Sequence, residues 1–232
     1  ASVQVHPNDQ QAMELENYPM GKTEAWYIID RTSEAEFYAG FSPGVTKQSV
    51  LDALERGAIK DLLQRVNVQP GQCLYVPPGT VHACGNGVLM LEVQQCSDLT
   101  YRLCEWEEVG GRARRRRLDL EKALKVIDFE ARPSVFQAQS IPNRLNEILS
   151  CPSFGMYEIT VTGRWAFPVV DAFLAGTLIE GTAVLTGDDA ALELTTGESF
   201  LMPACTHVEA SAEYCRMVIT TAGPSGPLLS LS

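Results

Sequence analysis

Short apolar stretches, rich in Val, Ile, Leu and aromatic residues and each cut off by Gly, Pro, Asn or Asp, recur along most of this chain. A helix needs ten or more uninterrupted residues to bury a useful face, whereas a strand needs only a handful. The segments 24–30, 73–76, 88–95, 157–162, 183–185 and 199–202 therefore read as strands. Their even spacing predicts an all-β barrel or jelly roll. Two stretches break the pattern. Residues 46–66 carry Val50, Leu51, Leu54, Ile59, Leu62, Leu63 and Val66 at helical spacing, with Gly57 as a stop between two helices. Residues 118–129 place Leu120, Ala123, Leu124 and Ile127 on one helical face.

A faint internal repeat divides the chain. Gly71 through an apolar strand to Pro77, and on to His82, is echoed by Gly197 to Pro203 and on to His207. This predicts two related barrels, residues 1–130 with a helical insertion at about 46–66 and residues 131–232, joined by the helix within 118–129. His207 follows its proline by four positions and His82 by five. That offset turns the opposite strand face inward, so the second barrel is expected to hold no metal.

Composition narrows the partners. The 232 residues carry a net charge of -11, which disfavours a broad nucleic-acid surface yet leaves room for a small anion in a locally basic pocket. The run Arg112, Arg114, Arg115, Arg116 and Arg117 reads as a solvated loop. No apolar run suits a membrane span, no basic-then-apolar leader opens the chain, and the seven cysteines form no CxxC pair, so a reduced cytoplasmic setting is expected. Cys84 and Cys96 read as packing residues. Val3, Gln4 and Val5 already read as strand, so a further segment is expected upstream.

Side chains two apart in a strand share a face. Gln4 with His6, Lys22 with Glu24, Glu92 with Gln94, and Thr100 with Arg102 are polar pairs at that spacing among apolar neighbours, as expected for the lining of a wet pocket. His82 follows Pro77-Pro78-Gly79-Thr80-Val81, a turn that would bring its imidazole back over the barrel mouth. Gln4, His6, Glu24 and His82 then offer two nitrogens and two oxygens, a set suited to one zinc ion, with nickel, cobalt, manganese or iron as other occupants.

The motifs Ser2-Val-Gln-Val-His-Pro7, Gly21-Lys-Thr-Glu24, Trp26-Tyr-Ile-Ile-Asp30, Pro78-Gly-Thr-Val-His82, Leu91-Glu-Val-Gln-Gln95, Ser97-Asp98 and Thr100-Tyr-Arg-Leu103, in this order, resemble class I mannose-6-phosphate isomerases. The resemblance is strong from Ser2 to about Asp128 and loose beyond. It implies two cupin barrels and a zinc enzyme that interconverts mannose 6-phosphate and fructose 6-phosphate. It implies Gln4, His6, Glu24 and His82 as ligands, Arg102 as the active-site arginine, Lys22 and Asp98 in proton transfer or substrate positioning, and Ser2 near the substrate phosphate. Glu92 is a further carboxylate candidate for the base, and Lys22 and Arg102 are the cations for the sugar phosphate. Some relatives carry a histidine at the position of Gly21, and Leu118-Asp119 stands where the family often has Leu-His. Two other readings of such a barrel are a metal-dependent oxygenase and a non-catalytic sugar-binding protein. The oligomeric state is not legible.

Overall fold

The structure, a computed structural model, describes residues 2–105, 118–188 and 190–223. The arginine run at 112–117 lies outside the described residues. The chain is mainly β and divides into two compact units, residues 1–135 and 136–232.

In the first unit the strands are β1 (Ser2–Val5), β2 (Glu24–Arg31), β3 (Phe37–Phe41), β4 (Leu63–Val66), β5 (Gln72–Val76), β6 (His82–Cys84), β7 (Val88–Gln94) and β8 (Tyr101–Glu105), with β9 (Ser134–Gln137) at the unit boundary. They form a five-stranded sheet, β4-β3-β6-β1-β8, and a four-stranded sheet, β7-β2-β5-β9. Strand alternation gives the five-stranded sheet two different faces. One face presents Val3, Val5, Tyr38, Phe41, Val81, Ala83, Tyr101 and Leu103 to the helices α2 (Lys47–Glu55) and α3 (Leu120–Val126), which contribute Val50, Ala53, Ala123 and Val126. The other face meets the four-stranded sheet across Phe37, Ala39, Trp26, Ile28, Leu74 and Val76. Each fully buried side chain of this size contributes roughly 1.5–3 kcal/mol of transfer free energy, so the two apolar layers fix the sheets in place and leave one end of the inter-sheet space free for polar groups.

Two local expectations are corrected. Only the first half of 46–66 is an α-helix, started by the Thr46–Ser49 capping box. After Gly57 a single 3-10 turn, Ile59–Leu62, leads into β4, because Leu63 and Val66 find ladder partners in Phe41 and Phe37. Sheet pairing overrides the helical spacing there. A further helix, α1 (Asp9–Glu16), was not anticipated: its apolar stripe is weak, and its start is written in the Asn8–Gln11 capping box.

The second unit is one six-stranded sheet of β10 (Asn146–Ser150), β11 (Phe154–Ala166), β12 (Leu174–Thr186), β13 (Ala191–Thr195), β14 (Ser199–Met202) and β15 (Glu209–Ala222). Its order is β10-β11-β15-β12-β13, with β14 pairing the first half of β12. The strands 157–162 and 183–185 read from the sequence are only parts of β11 and β12. Gly163 and Gly181, which look like strand ends, instead sit at register shifts within the ladders, with φ of 79° and 87°. Those shifts bend the long strands about a core that includes Ile159, Leu178, Phe200, Leu194 and Met217.

Candidate metal centre

Three adjacent strands carry the first part of the site. Gln4 on β1 is directly opposite His82 on β6 and Arg102 on β8, so the three side chains form a row on the inter-sheet face. His6 follows two residues after Gln4. Across the gap, Glu24 opens β2 between Gln94 on β7 and Val76 on β5. The turn before β6 does what its sequence suggests. Gly79 has a φ of 85°, the Thr80 N–H donates to the Pro77 carbonyl at 3.2 Å, and the Gly79 N–H donates to the His6 carbonyl at 2.9 Å. The turn thus ties His82 directly to the residue that bears the other imidazole.

His6, Glu24 and His82 are each 1% exposed, and their ligand-type atoms all lie within 4.8 Å of one another. His6 Nε2 stands 3.2 Å from Glu24 Oε2, and His82 Nε2 stands 3.2 Å from Glu24 Oε1. Each ring has its other nitrogen on a backbone carbonyl: His6 Nδ1 donates to Leu99 O at 2.9 Å and His82 Nδ1 donates to Thr80 O at 2.9 Å. A neutral imidazole that donates through Nδ1 has a lone pair on Nε2. Two lone pairs then face a carboxylate, and although Gln4 and Lys22 reach His82 Nε2 and Glu24 Oε2, a cation between the groups would also satisfy His6 Nε2 and Glu24 Oε1. Burial pushes His82 down to about 4 even with Glu24 beside it, so at neutral pH its contact with Glu24 is not an ion pair. Burial by itself would raise Glu24, but His82, His6 and Lys22 outweigh it and hold the carboxyl below the ordinary range. His6 Nε2 and Glu24 Oε1 are buried without a hydrogen-bond partner among the described residues. The donor set, two imidazole nitrogens and a carboxylate with carbonyl-anchored rings, fits a divalent metal.

The remaining expected site residues fall into three groups. Lys22, Glu92 and Arg102 border the centre. Lys22 Nζ donates to Glu24 Oε2 and, at 3.0 Å, to Glu92 Oε1. Burial lowers its pKa but the two carboxylates more than offset this, so Lys22 is held charged. Burial and Glu24 together push Glu92 up against the opposing pull of Lys22. Arg102 Nε is buried with no hydrogen-bond partner among the described residues. Gln4 and Ser2 form a second group. The Gln4 amide nitrogen faces His82 Nε2 at 3.1 Å while its oxygen accepts from Ser2 Oγ at 3.0 Å. Gln4 therefore presents nitrogen to the centre, and a half-turn of the amide would present oxygen instead, with Ser2 as acceptor. Asp98 is exposed in the loop between β7 and β8, one residue before Leu99, whose carbonyl holds His6. His207 is exposed on the second unit, 3.9 Å from Asp188, with no place in the cluster.

Sequence reasoning missed Trp26, whose ring meets His82 edge-on at 5.5 Å, although its spacing of two from Glu24 marks it as inward-facing. It also missed the two carbonyl anchors, which no residue-type pattern encodes. At Gly21, an added Cβ would lie 2.4 Å from the Pro7 carbonyl oxygen, so the backbone here has no space for any side chain, the histidine of some relatives included.

Residues 146–213 match the family described as mannose-6-phosphate isomerase, cupin domain. The match falls in the second unit, where the motif resemblance had been loose. Across the larger part of the chain, the mannose-6-phosphate isomerase ManA of Bacillus subtilis is 37% identical over 205 residues, 87% of this chain and 65% of the relative. The probable mannose-6-phosphate isomerase GmuF of the same organism is 35% identical over 206 residues, 88% of this chain and 65% of the relative. Over most of its length the chain is similar to cupin-type mannose-6-phosphate isomerases. It spans 65% of the length of these curated relatives. Among solved structures, the mannose 6-phosphate isomerase of Bacillus subtilis superposes with a TM-score of 0.84 at 29% identity, covering 94% of this chain and 70% of that one. A mannosephosphate isomerase of Archaeoglobus fulgidus, described as putative, shares the fold with a TM-score of 0.78 at 24% identity, covering 96% of this chain and 68% of that one. This similarity accounts for the order of motifs in the first unit, and the family model matches within the second.

Proposed function

We propose that this chain carries the catalytic centre of a metal-dependent aldose–ketose isomerase interconverting mannose 6-phosphate and fructose 6-phosphate. The observation that carries the reading is the convergence of His6, Glu24 and His82, with two carbonyl-anchored imidazoles turned lone-pair-first toward one carboxylate. One zinc ion is the reading for that place, held by these three and by Gln4 after its amide turns. Bound there, a divalent cation would act as a Lewis acid toward a sugar oxygen. The chain is read as two cupin barrels, residues 1–130 and 131–232, with the metal in the first and none in the second. The seven cysteines, all free thiols, support a reducing cytoplasmic setting.

The chain's own residues supply the rest. Isomerisation moves a proton from the carbon beside a carbonyl to its neighbour and back, so it needs a base close to the bound sugar. Glu92 Oε1 accepts from Lys22 Nζ beside Glu24, a contact that Asp98 lacks among the described residues, so Glu92 is assigned as the base. Lys22, held charged between two carboxylates, donates hydrogen bonds rather than accepting the proton. Arg102, in the row with Gln4 and His82, offers its planar guanidinium to the substrate phosphate or to the developing enediolate. Ser2, buried against Gln4, donates to that amide and is the residue that the resemblance places near the substrate phosphate.

A coupled assay for fructose 6-phosphate formation, with and without chelator, tests the reading. Chelation is expected to abolish turnover and zinc to restore it, and His82→Ala is expected to lose zinc and activity together. Retained zinc and normal turnover in His82→Ala would overturn the assignment. Oxygen uptake in the same preparation would favour an oxygenase instead.

A further inference from the structure

The segment that delivers Lys22 and Glu24 is not a strand until Glu24 itself, yet three consecutive backbone N–H groups in it are committed. The Gly21 N–H donates to Asp9 Oδ1 at 2.8 Å. The Lys22 N–H donates to the Pro7 carbonyl at 3.0 Å. The Thr23 N–H donates to Gln95 Oε1 at 2.8 Å, and the Gln95 N–H returns a bond to the Thr23 carbonyl at 3.0 Å. The clamp closes on itself, because Gln95 Nε2 donates to the same Asp9 Oδ1 at 3.1 Å. Gly21 lies flush on the chain at Pro7 and Asn8, where even a Cβ would not fit. Pro7 directly follows His6, and Asp9 is two residues further. The contacts therefore tie the segment bearing one imidazole to the segment bearing the carboxylate, with the end of β7 as the third side.

We infer that Asp9 is a positioning residue: through the Gly21 N–H and the Gln95 amide it sets the approach of Glu24 and Lys22 to His6, without touching metal or substrate itself. A single carboxylate oxygen accepts both bonds, so its removal releases the backbone at Gly21 and the side chain that holds Thr23 in one step. The helix it opens does not need it for capping, since the cap of α1 is Asn8, whose side chain accepts from the Gln11 N–H. Outer contacts that orient ligands of a metal are worth roughly tenfold to a hundredfold in affinity or activity. The inference rests on the metal reading above.

The test is zinc affinity of the full chain, measured by competition with a chromophoric chelator, for wild type and Asp9→Ala, Asp9→Asn and Asn8→Ala. Asp9→Ala is expected to weaken zinc binding about tenfold or more and to lower kcat more than it raises KM. Asp9→Asn retains an amide oxygen in the same place and is expected to recover most of both. Asn8→Ala destabilises α1 by loss of its cap and is expected to leave zinc affinity unchanged. Double mutation of Asp9→Ala with Gln95→Leu is expected to cost less than the two single losses together, because one clamp is broken twice. If Asp9→Ala binds zinc as wild type does, or if Asn8→Ala matches its loss, the inference fails while the metal reading stands. A wild-type chain that binds no zinc overturns both.

Discussion

At the level of single residues, the centre is governed by which nitrogen of each imidazole is already occupied. Leu99 and Thr80 carbonyls take the Nδ1 protons of His6 and His82, which leaves Nε2 as the coordinating atom on both rings. That arrangement has a consequence for the metal-free protein. His82 is pushed by burial from its ordinary 6.5 to about 4, and Glu24 lies below its ordinary 4.5. Both groups bind fewer protons in the folded chain than in the unfolded one, so their contribution to stability is present at higher pH and is lost on acidification. For His82 the loss begins as pH falls below about 6.5 and continues to about 4; Glu24 extends it further down. Denaturant titrations of zinc-free protein between pH 7.5 and 4.5 are expected to show a falling midpoint, and a flat profile would contradict the neutral, carbonyl-anchored state of His82. These anchors were invisible in the sequence because a backbone carbonyl has no residue type to read.

Among elements, the row His82–Gln4–Arg102 exists because β6, β1 and β8 are neighbours, although they are far apart in the chain. Alternation was legible for Gln4 and Arg102, and the turn for His82; which strand lies beside which was not. On the opposite face of β8, Tyr101 donates its hydroxyl proton to Glu16 at 2.9 Å, and Lys122 donates to the same carboxylate at 2.6 Å. One carboxylate at the end of α1 thus holds β8 and α3 at once. Burial, with Glu16 adding, raises the Tyr101 pKa well above its usual value, so the phenol stays protonated as donor. Tyr101→Phe is expected to cost about 1 kcal/mol of stability at neutral pH. Urea denaturation measures that cost, while zinc affinity is expected to be unchanged because the contact lies on the far side of the sheet. Residues 63–66 show the opposite lesson: their helical spacing was real, but Phe37 and Phe41 offered ladder positions that a lone helix could not match.

For the molecule as a whole, the two units have separate cores. The first has apolar layers on both faces of its five-stranded sheet, and the second has a core enclosed by its bent strands. Residues 138–232 expressed without the first unit are expected to melt cooperatively, to give a dispersed amide spectrum, and to bind no zinc in equilibrium dialysis. Zinc bound to that fragment would place a metal on a unit whose only histidine is the exposed His207. An unfolded fragment would mean that the core around Ile159, Leu178 and Met217 is insufficient by itself.

The sequence by itself determined the β-rich character, the inward-facing polar pairs, the turn before His82 and the resemblance that orders them, since all of these depend on local periodicity and residue type. Only the tertiary structure decided that Lys22 lies charged between Glu24 and Glu92, that Gln4 turns its nitrogen to His82, and that Asp9 and Gln95 clamp the segment leading to Glu24. These are contacts between residues many positions apart, and their energies depend on distance and burial, quantities that exist only once the chain has folded.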